Sequence, residues 1–269
     1  MNAVQRLTRT DRGAGLRLAA LIMILALSGA LAQEVEVERD GLPVEAWTVT
    51  ASEAEGEVEN AVDSDPSTVW TAAGDAGSYI EVDLGEAANV TRVHWLTGGD
   101  ADTYPADFRV EVSSDGEDWE IVAETGEAVY EVFEGVLQVI FEPVEARQVR
   151  ISLAAEQRGL SLSELYIYEE GQPVTVRIEN FDYLPDVLVA EGTTVTWIQI
   201  DAAPHTVTEG PPGKPAEERV FDSSGQAEGD YEEMFPGDTY SFTFEEAGDY
   251  EYHCIPHPYM RGRVVVVTF

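Results

Sequence analysis

Beyond residue 32, apolar and polar side chains alternate with period two through most of the chain. The runs are SYIEVDL, DFRVEVSSDGEDWEIVA, ARQVRISL and ELYIY, followed by VTVRIEN, TTVTWIQI, TYSFTF, DYEYHC and GRVVVVTF. That alternation sends successive side chains to opposite faces of a half-buried strand. Helical periodicity is nearly absent, and SDG, PGD, AGD and EEGQP supply turns between the runs. Many short strands at this spacing predict an all-β protein built from two β-sandwiches. The break at EEGQP, Glu169 to Pro173, divides the chain into domains at 43–170 and 171–269, after an acidic lead-in at 33–42. Each is long enough for a two-sheet core. Residues Glu209 to Asp230 form a long polar loop in which Arg219–Phe221, RVF, is a short strand candidate.

The first 32 residues follow another pattern. Arg6, Arg9, Arg12 and Arg17 make a basic start, an apolar run ends at Ala32, and Ala30 and Ala32 form an A-x-A-type cleavage site before Gln33. This predicts a secretory signal peptide over 1–32 and an exported protein, periplasmic, secreted or at the cell surface. A retained anchor is the alternative, because the 17-residue segment Leu16–Ala32 sits at the short edge of a spanning helix. Residues 33–269 hold 11 of the 15 basic and 51 of the 52 acidic side chains, a formal charge of −40. Such a surface repels nucleic acid and anionic lipid, and favours basic partners or a salty medium. One cysteine permits no intrachain disulfide, and a free thiol in an oxidising compartment is a liability. Cys254 is therefore expected to be buried or bonded to something other than sulfur.

The stretch YHCIPHPYM, Tyr252 to Met260, gathers that cysteine with two of the four histidines and one of the four methionines. Cys254, His257 and Met260 are spaced i, i+3, i+6, and Pro256 and Pro258 forbid a helix, leaving a tight loop between two strands. His205, after a proline beyond TTVTWIQI, is the fourth candidate. Two imidazoles, a thiolate and a weak thioether form the donor set of a blue-copper electron-transfer site. The thioether argues for copper over zinc, which prefers a harder fourth donor. Taken singly, a buried Cys or Met is core filler and a His beside a proline a loop residue. His253 neighbours Cys254 in the strand, so its side chain points to the opposite face. His94, in TRVHWLT, is read as structural.

These features resemble the small cupredoxins of the amicyanin, pseudoazurin and plastocyanin group. Residues 173–269 share VLVAEGTTVTW, HTVT, FDSS and AGDYEYHCIPHPYMRGRVVVV, in the order His, Cys, His, Met, and the short ligand loop is especially amicyanin-like. The resemblance implies an eight-stranded Greek-key sandwich, one type 1 copper held by His205, Cys254, His257 and axial Met260, and electron exit through His257 inside a collar of Pro256, Pro258 and Tyr259. Many relatives carry asparagine after the first histidine, hydrogen-bonded to the cysteine loop; here Thr206 stands in its place. The implied partners are redox proteins, basic or cytochrome-like, steered by the acidic surface. Copper enzymes are excluded by count. There is no His-x-His pair for a trinuclear cluster, and only His94 and His253 remain for further sites. No catalytic residue is assigned.

Residues 43–170 resemble discoidin domains, the C-type modules of coagulation factors and their bacterial carbohydrate-binding relatives. The match rests on NAVDSDPSTVW, YIEVDLG, FRVEVSSDGEDWEIV, ARQVRISL and LSELYIY, with Ser64 where a glycine is common. It implies a jelly-roll sandwich. It also implies a calcium site at Asp63, Asp65, Thr68 and Glu164, hard oxygen donors on a tight turn; alternatively Asp63 and Thr68 cap that turn by hydrogen bonds. Trp47, Tyr104 and Trp119 are candidate glycan contacts, while Trp70 and Trp95 are assigned to the core. The expected protein is an exported single-electron carrier tethered by its first domain to a glycan or cell-surface ligand. The alternative is an adhesive, carbohydrate-binding protein with structural copper.

Overall fold

The computed structural model describes residues 39–52, 57–72, 75–97, 104–133, 135–155, 161–225 and 232–269. The expected leader 1–32 and residues 33–38 of the lead-in lie outside them.

The first domain is organised by two 18-residue antiparallel strands, Tyr79–Leu96 and Val136–Leu153. Burial alternates over Tyr79–Leu84 in the first, and both pass through a largely exposed middle, Gly85–Asn89 in one and Glu142–Glu145 in the other. Register shifts between Asp83 and Ala88, and between Val90 and Arg92, mark the irregularity there. Bulges bend a strand, and each strand accordingly serves two layers of a sandwich. One layer pairs Tyr79–Asp83 with Thr48–Ala51 and adds Phe108–Ser113 and Glu120–Glu124 on the other side. The second joins Glu164–Glu169 and Val129–Phe133 to the remaining halves. Trp70 and Trp95, both fully buried, lie in the core between them, as the sequence predicts. Ser64, in the glycine position, has φ 65°, the left-handed conformation that favours glycine.

The second domain has two four-stranded sheets. One orders Asp182–Leu184, Val174–Glu179, Thr193–Gln199 and Thr239–Phe244; the other Val187–Ala190, Arg261–Val267, Gly248–His253 and Thr208–Glu209. Two pairings are parallel, Val174–Ile178 with Val195–Gln199 and Val187–Ala190 with Val264–Val267. Consecutive hairpins cannot produce these, and the eight strands form the expected Greek-key sandwich. Its core centres on Trp197, ringed by Phe221, Tyr240, Phe244 and Tyr252. The RVF strand is a correction. Arg219 bonds Asp222 and the Lys214 carbonyl, which holds this segment as a loop, and Phe221 plugs the core instead of extending a sheet.

The domains are packed together. From Leu137 to Phe141 every residue is buried, although alternation sends Leu137, Val139 and Phe141 to one face and Gln138 and Ile140 to the other. The second face is covered by the second domain. Gln138 donates to the Asp186 carbonyl (2.7 Å) and accepts from the Leu188 N–H (2.8 Å), while Phe133 and Ile140 pack with Leu188. Asp40 accepts the Thr175 N–H at 2.8 Å.

Candidate metal centre

Two stretches of chain bring the four predicted donors together at one end of the second sandwich. Gly248–His253 delivers Cys254, and the following loop delivers His257 and Met260 before Arg261–Val267 begins. The Met260 N–H donates to the His257 carbonyl (2.9 Å), closing that loop. His205 is anchored by reciprocal backbone bonds to Met234, 3.1 and 2.8 Å. The Cys254 Sγ lies 3.6 Å from Nδ1 of both His205 and His257. Metal–sulfur and metal–nitrogen bonds of about 2.3 and 2.0 Å, opened to 120°, separate S and N by about 3.7 Å. The donor set therefore fits a trigonal ion. Met260 is buried in the same cluster as Cys254, where a soft thioether suits copper. His253 is turned away, its Nδ1 bonded to the Gly210 carbonyl at 2.7 Å.

The ligands are held from behind. The Thr206 N–H donates to the Cys254 sulfur (3.4 Å), and the Thr206 hydroxyl accepts the Ile255 N–H (2.8 Å). Threonine thus makes the cross-loop bond that asparagine makes in the family the sequence resembles. With Nδ1 facing the sulfur, His205 carries its proton on Nε2 and donates to Asp201 at 3.0 Å. A carboxylate behind a ligating histidine fixes ring orientation and raises basicity. Burial lowers the His205 pKa, favouring the neutral, metal-binding form, and Asp201 opposes that shift. Burial raises the Cys254 thiol, opposed by the Thr206 N–H.

Asp201 also accepts the N–H groups of Asn180 and Phe181, 2.8 and 2.7 Å. Both residues have positive φ, 55° and 60°, in the tight hairpin between Val174–Glu179 and Asp182–Leu184. Asn suits that region, but Phe pays steric energy there. The strained turn sets the Phe181 ring edge-on to His205 and His257, with centroids 5.3 and 5.0 Å away. Neither Asp201 nor Phe181 was singled out from sequence. The available signal was ENFD, a turn whose aromatic should not sit at positive φ. Around half-buried His257, Phe181, Pro258 and Tyr259 are exposed, and Pro256 is half-buried.

In the first domain, the Asp63–Thr68 turn is self-bonded. Asp63 accepts from the Asp65 N–H (2.9 Å) and the Thr68 hydroxyl (2.9 Å), and Asp65 accepts from Ser67. Glu164 is buried with one oxygen bonded to Arg39 (3.2 Å) and the other without a partner. Burial pushes its pKa up to about 7. Trp47 and Tyr104 are part-buried against the core, and Trp119 is covered by the Arg150 guanidinium, 3.7 Å from the ring centroid.

Comparison with known proteins gives two separate matches along the chain. Residues 45–165 match the F5/8 type C domain, and residues 173–267 the copper-binding proteins of the plastocyanin/azurin family. Amicyanin of Paracoccus denitrificans is 42% identical over 96 residues, 35% of this chain and 64% of that protein's length. A solved copper(I) amicyanin variant is 38% identical over 35% of this chain and 82% of its own, with a TM-score of 0.29. A Clostridium perfringens module, CpGH89CBM32-5, solved with GalNAc-β-1,3-galactose, is 19% identical, covering 47% of this chain and 98% of that one, with a TM-score of 0.42. The chain thus joins a segment that matches the F5/8 type C, discoidin-like domain to one that matches the copper-binding proteins of the plastocyanin/azurin family.

Proposed function

We propose that the protein is an exported, non-enzymatic carrier of single electrons. The observation that carries this reading is the Cys254 sulfur placed 3.6 Å from two imidazole nitrogens. Copper, when bound, supplies the one-electron couple. The residues supply a cage that need not rearrange: Thr206 holds the sulfur and the loop, and Asp201 fixes His205. Partly exposed His257 is the contact edge, and Phe181, Pro258 and Tyr259 exclude water around it during brief docking. The acidic remainder attracts a basic redox protein. In the same reading the F5/8 type C domain tethers the carrier to a glycan or cell-surface ligand. That role is supported by the domain family alone, because Trp47, Tyr104 and Trp119 are engaged by protein neighbours.

Calcium at the Asp63–Thr68 turn is proposed with it. The support is Glu164, whose partnerless buried oxygen and raised pKa a divalent cation would both relieve.

The test is stopped-flow mixing of reduced, copper-loaded protein with oxidised cytochrome c, a basic one-electron acceptor. Rapid transfer that slows as salt screens the attraction is expected, as is a rate about tenfold lower, some 1.4 kcal/mol, in Tyr259→Asp. Copper that does not exchange electrons, in a protein that binds polysaccharide tightly, would favour the adhesive alternative.

A further inference from the structure

Between the two domains lies a cavity of about 250 Å³. His94 and Tyr166, paired across neighbouring strands, line it from the first domain. Leu184 and Pro185 line it from the second, and Arg39 and Arg177 contribute the cationic groups. The strand positions of His94 and Tyr166 face away from the first domain's own core, where Val93, Trp95, Leu165 and Ile167 lie.

Three features single this cavity out. His94 is only 3% exposed, yet its Nε2 has no hydrogen-bond partner. The Arg39 Nε is likewise buried without a partner, while its Nη2 is bonded to Glu164 and to the Leu165 carbonyl. Arg177 has only a 3.7 Å approach to Glu179, beyond hydrogen-bond reach. Buried polar groups are ordinarily satisfied, and a guanidinium N–H is satisfied only by an acceptor. Asp40, the carboxylate lining the cavity, already accepts the Thr175 N–H. In a chain of 15 basic against 52 acidic residues, two arginines meet at one crevice, where Arg39 is paired with Glu164 and Asp40 supplies a carboxylate of its own. Leu96, Val136, Leu184 and Pro185 give the crevice an apolar wall, beside the polar Ser64 and Thr175.

We propose that this crevice binds a small organic acid, a carboxylate carried on a compact apolar body such as a single ring. Arg39, His94 and Arg177 take the carboxylate, and the apolar lining takes the body. The cavity lies just below the range of about 300–1,000 Å³ that holds drug-sized ligands, which limits the occupant to a small molecule. This site is independent of the copper reading, and its test needs no metal.

The probe is benzoate, titrated into the full chain by calorimetry and by NMR, beside benzyl alcohol as the uncharged match and acetate as the bodiless one. Saturable one-site binding of benzoate is expected, at least about tenfold tighter than either control. Arg177→Gln, a half-exposed position, should erase the preference for benzoate over benzyl alcohol, and Leu184→Trp, which fills the space, should abolish binding of both. Two results would overturn the proposal: no saturation by about 10 mM benzoate, or binding unchanged in both variants. Circular dichroism of each variant confirms that a lost signal is not lost fold.

Discussion

Thr206 shows how much one side chain carries. Its hydroxyl accepts the Ile255 N–H and meets the Thr208 hydroxyl at 3.1 Å, while its N–H reaches the Cys254 sulfur. Thr206→Val keeps the shape and removes the acceptor, leaving a backbone donor unpaired beside the cysteine. We expect denaturant unfolding to report about 1–3 kcal/mol lost, and copper affinity to fall about 10–100-fold. Thr206→Ser should recover most of both. Glu164 gives a pH signature of the opposite kind. Its folded pKa near 7 exceeds the ordinary 4.5, so folding favours the proton. The associated stability is present below about pH 4.5 and is lost as pH rises to about 7, on the order of 3 kcal/mol. Thermal melts from pH 4 to 8 should show that decline, flattened in Glu164→Gln. Added calcium should reverse it above neutrality, and a chelator without effect on Tm there would leave Asp63 and Thr68 as turn caps only.

At the scale of elements, the strands were legible because period two is a local signal. So was the site, because Cys254, His257 and Met260 are neighbours in sequence and His205 follows a strand end. Two things were not. RVF reads as a strand, but the local bonds of Arg219 win over propensity. The domain interface was hidden because burial from outside a sheet leaves no periodicity of its own. The trace it leaves is VLQVIF, too apolar for a strand with a wet face, with one glutamine inside. Gln138 satisfies two backbone groups of the other domain, and Gln138→Ala orphans both and opens a void. We expect at least about 2 kcal/mol lost. In calorimetry, the single transition of the parent should split into two as the domains uncouple. Two transitions already present in the parent would contradict a tightly coupled pair.

Across the whole molecule, a strongly acidic body presents one apolar, part-exposed end around His257. Phe181, at 42% exposure, and Tyr259, at 67%, are the large hydrophobics flanking it. Charge brings partners from a distance and is screened by salt, whereas the apolar rim acts only at contact. The packed interface gives the first domain a further consequence. Under the proposed tethering, a ligand of the first domain would fix the direction in which the candidate copper end faces, since Gln138 and the Phe133–Ile140–Leu188 cluster join the two sandwiches. Neither property could be read from composition, because net charge says nothing about where the uncharged surface lies.

All of this depends on a thiolate and two imidazoles closing around one copper ion. The visible absorption spectrum of the copper-loaded full chain measures that directly. An intense thiolate-to-copper band, absent in Cys254→Ser and in His205→Ala, is the predicted result. A colourless copper-loaded protein, or a band that survives the loss of the Cys254 sulfur, would contradict it.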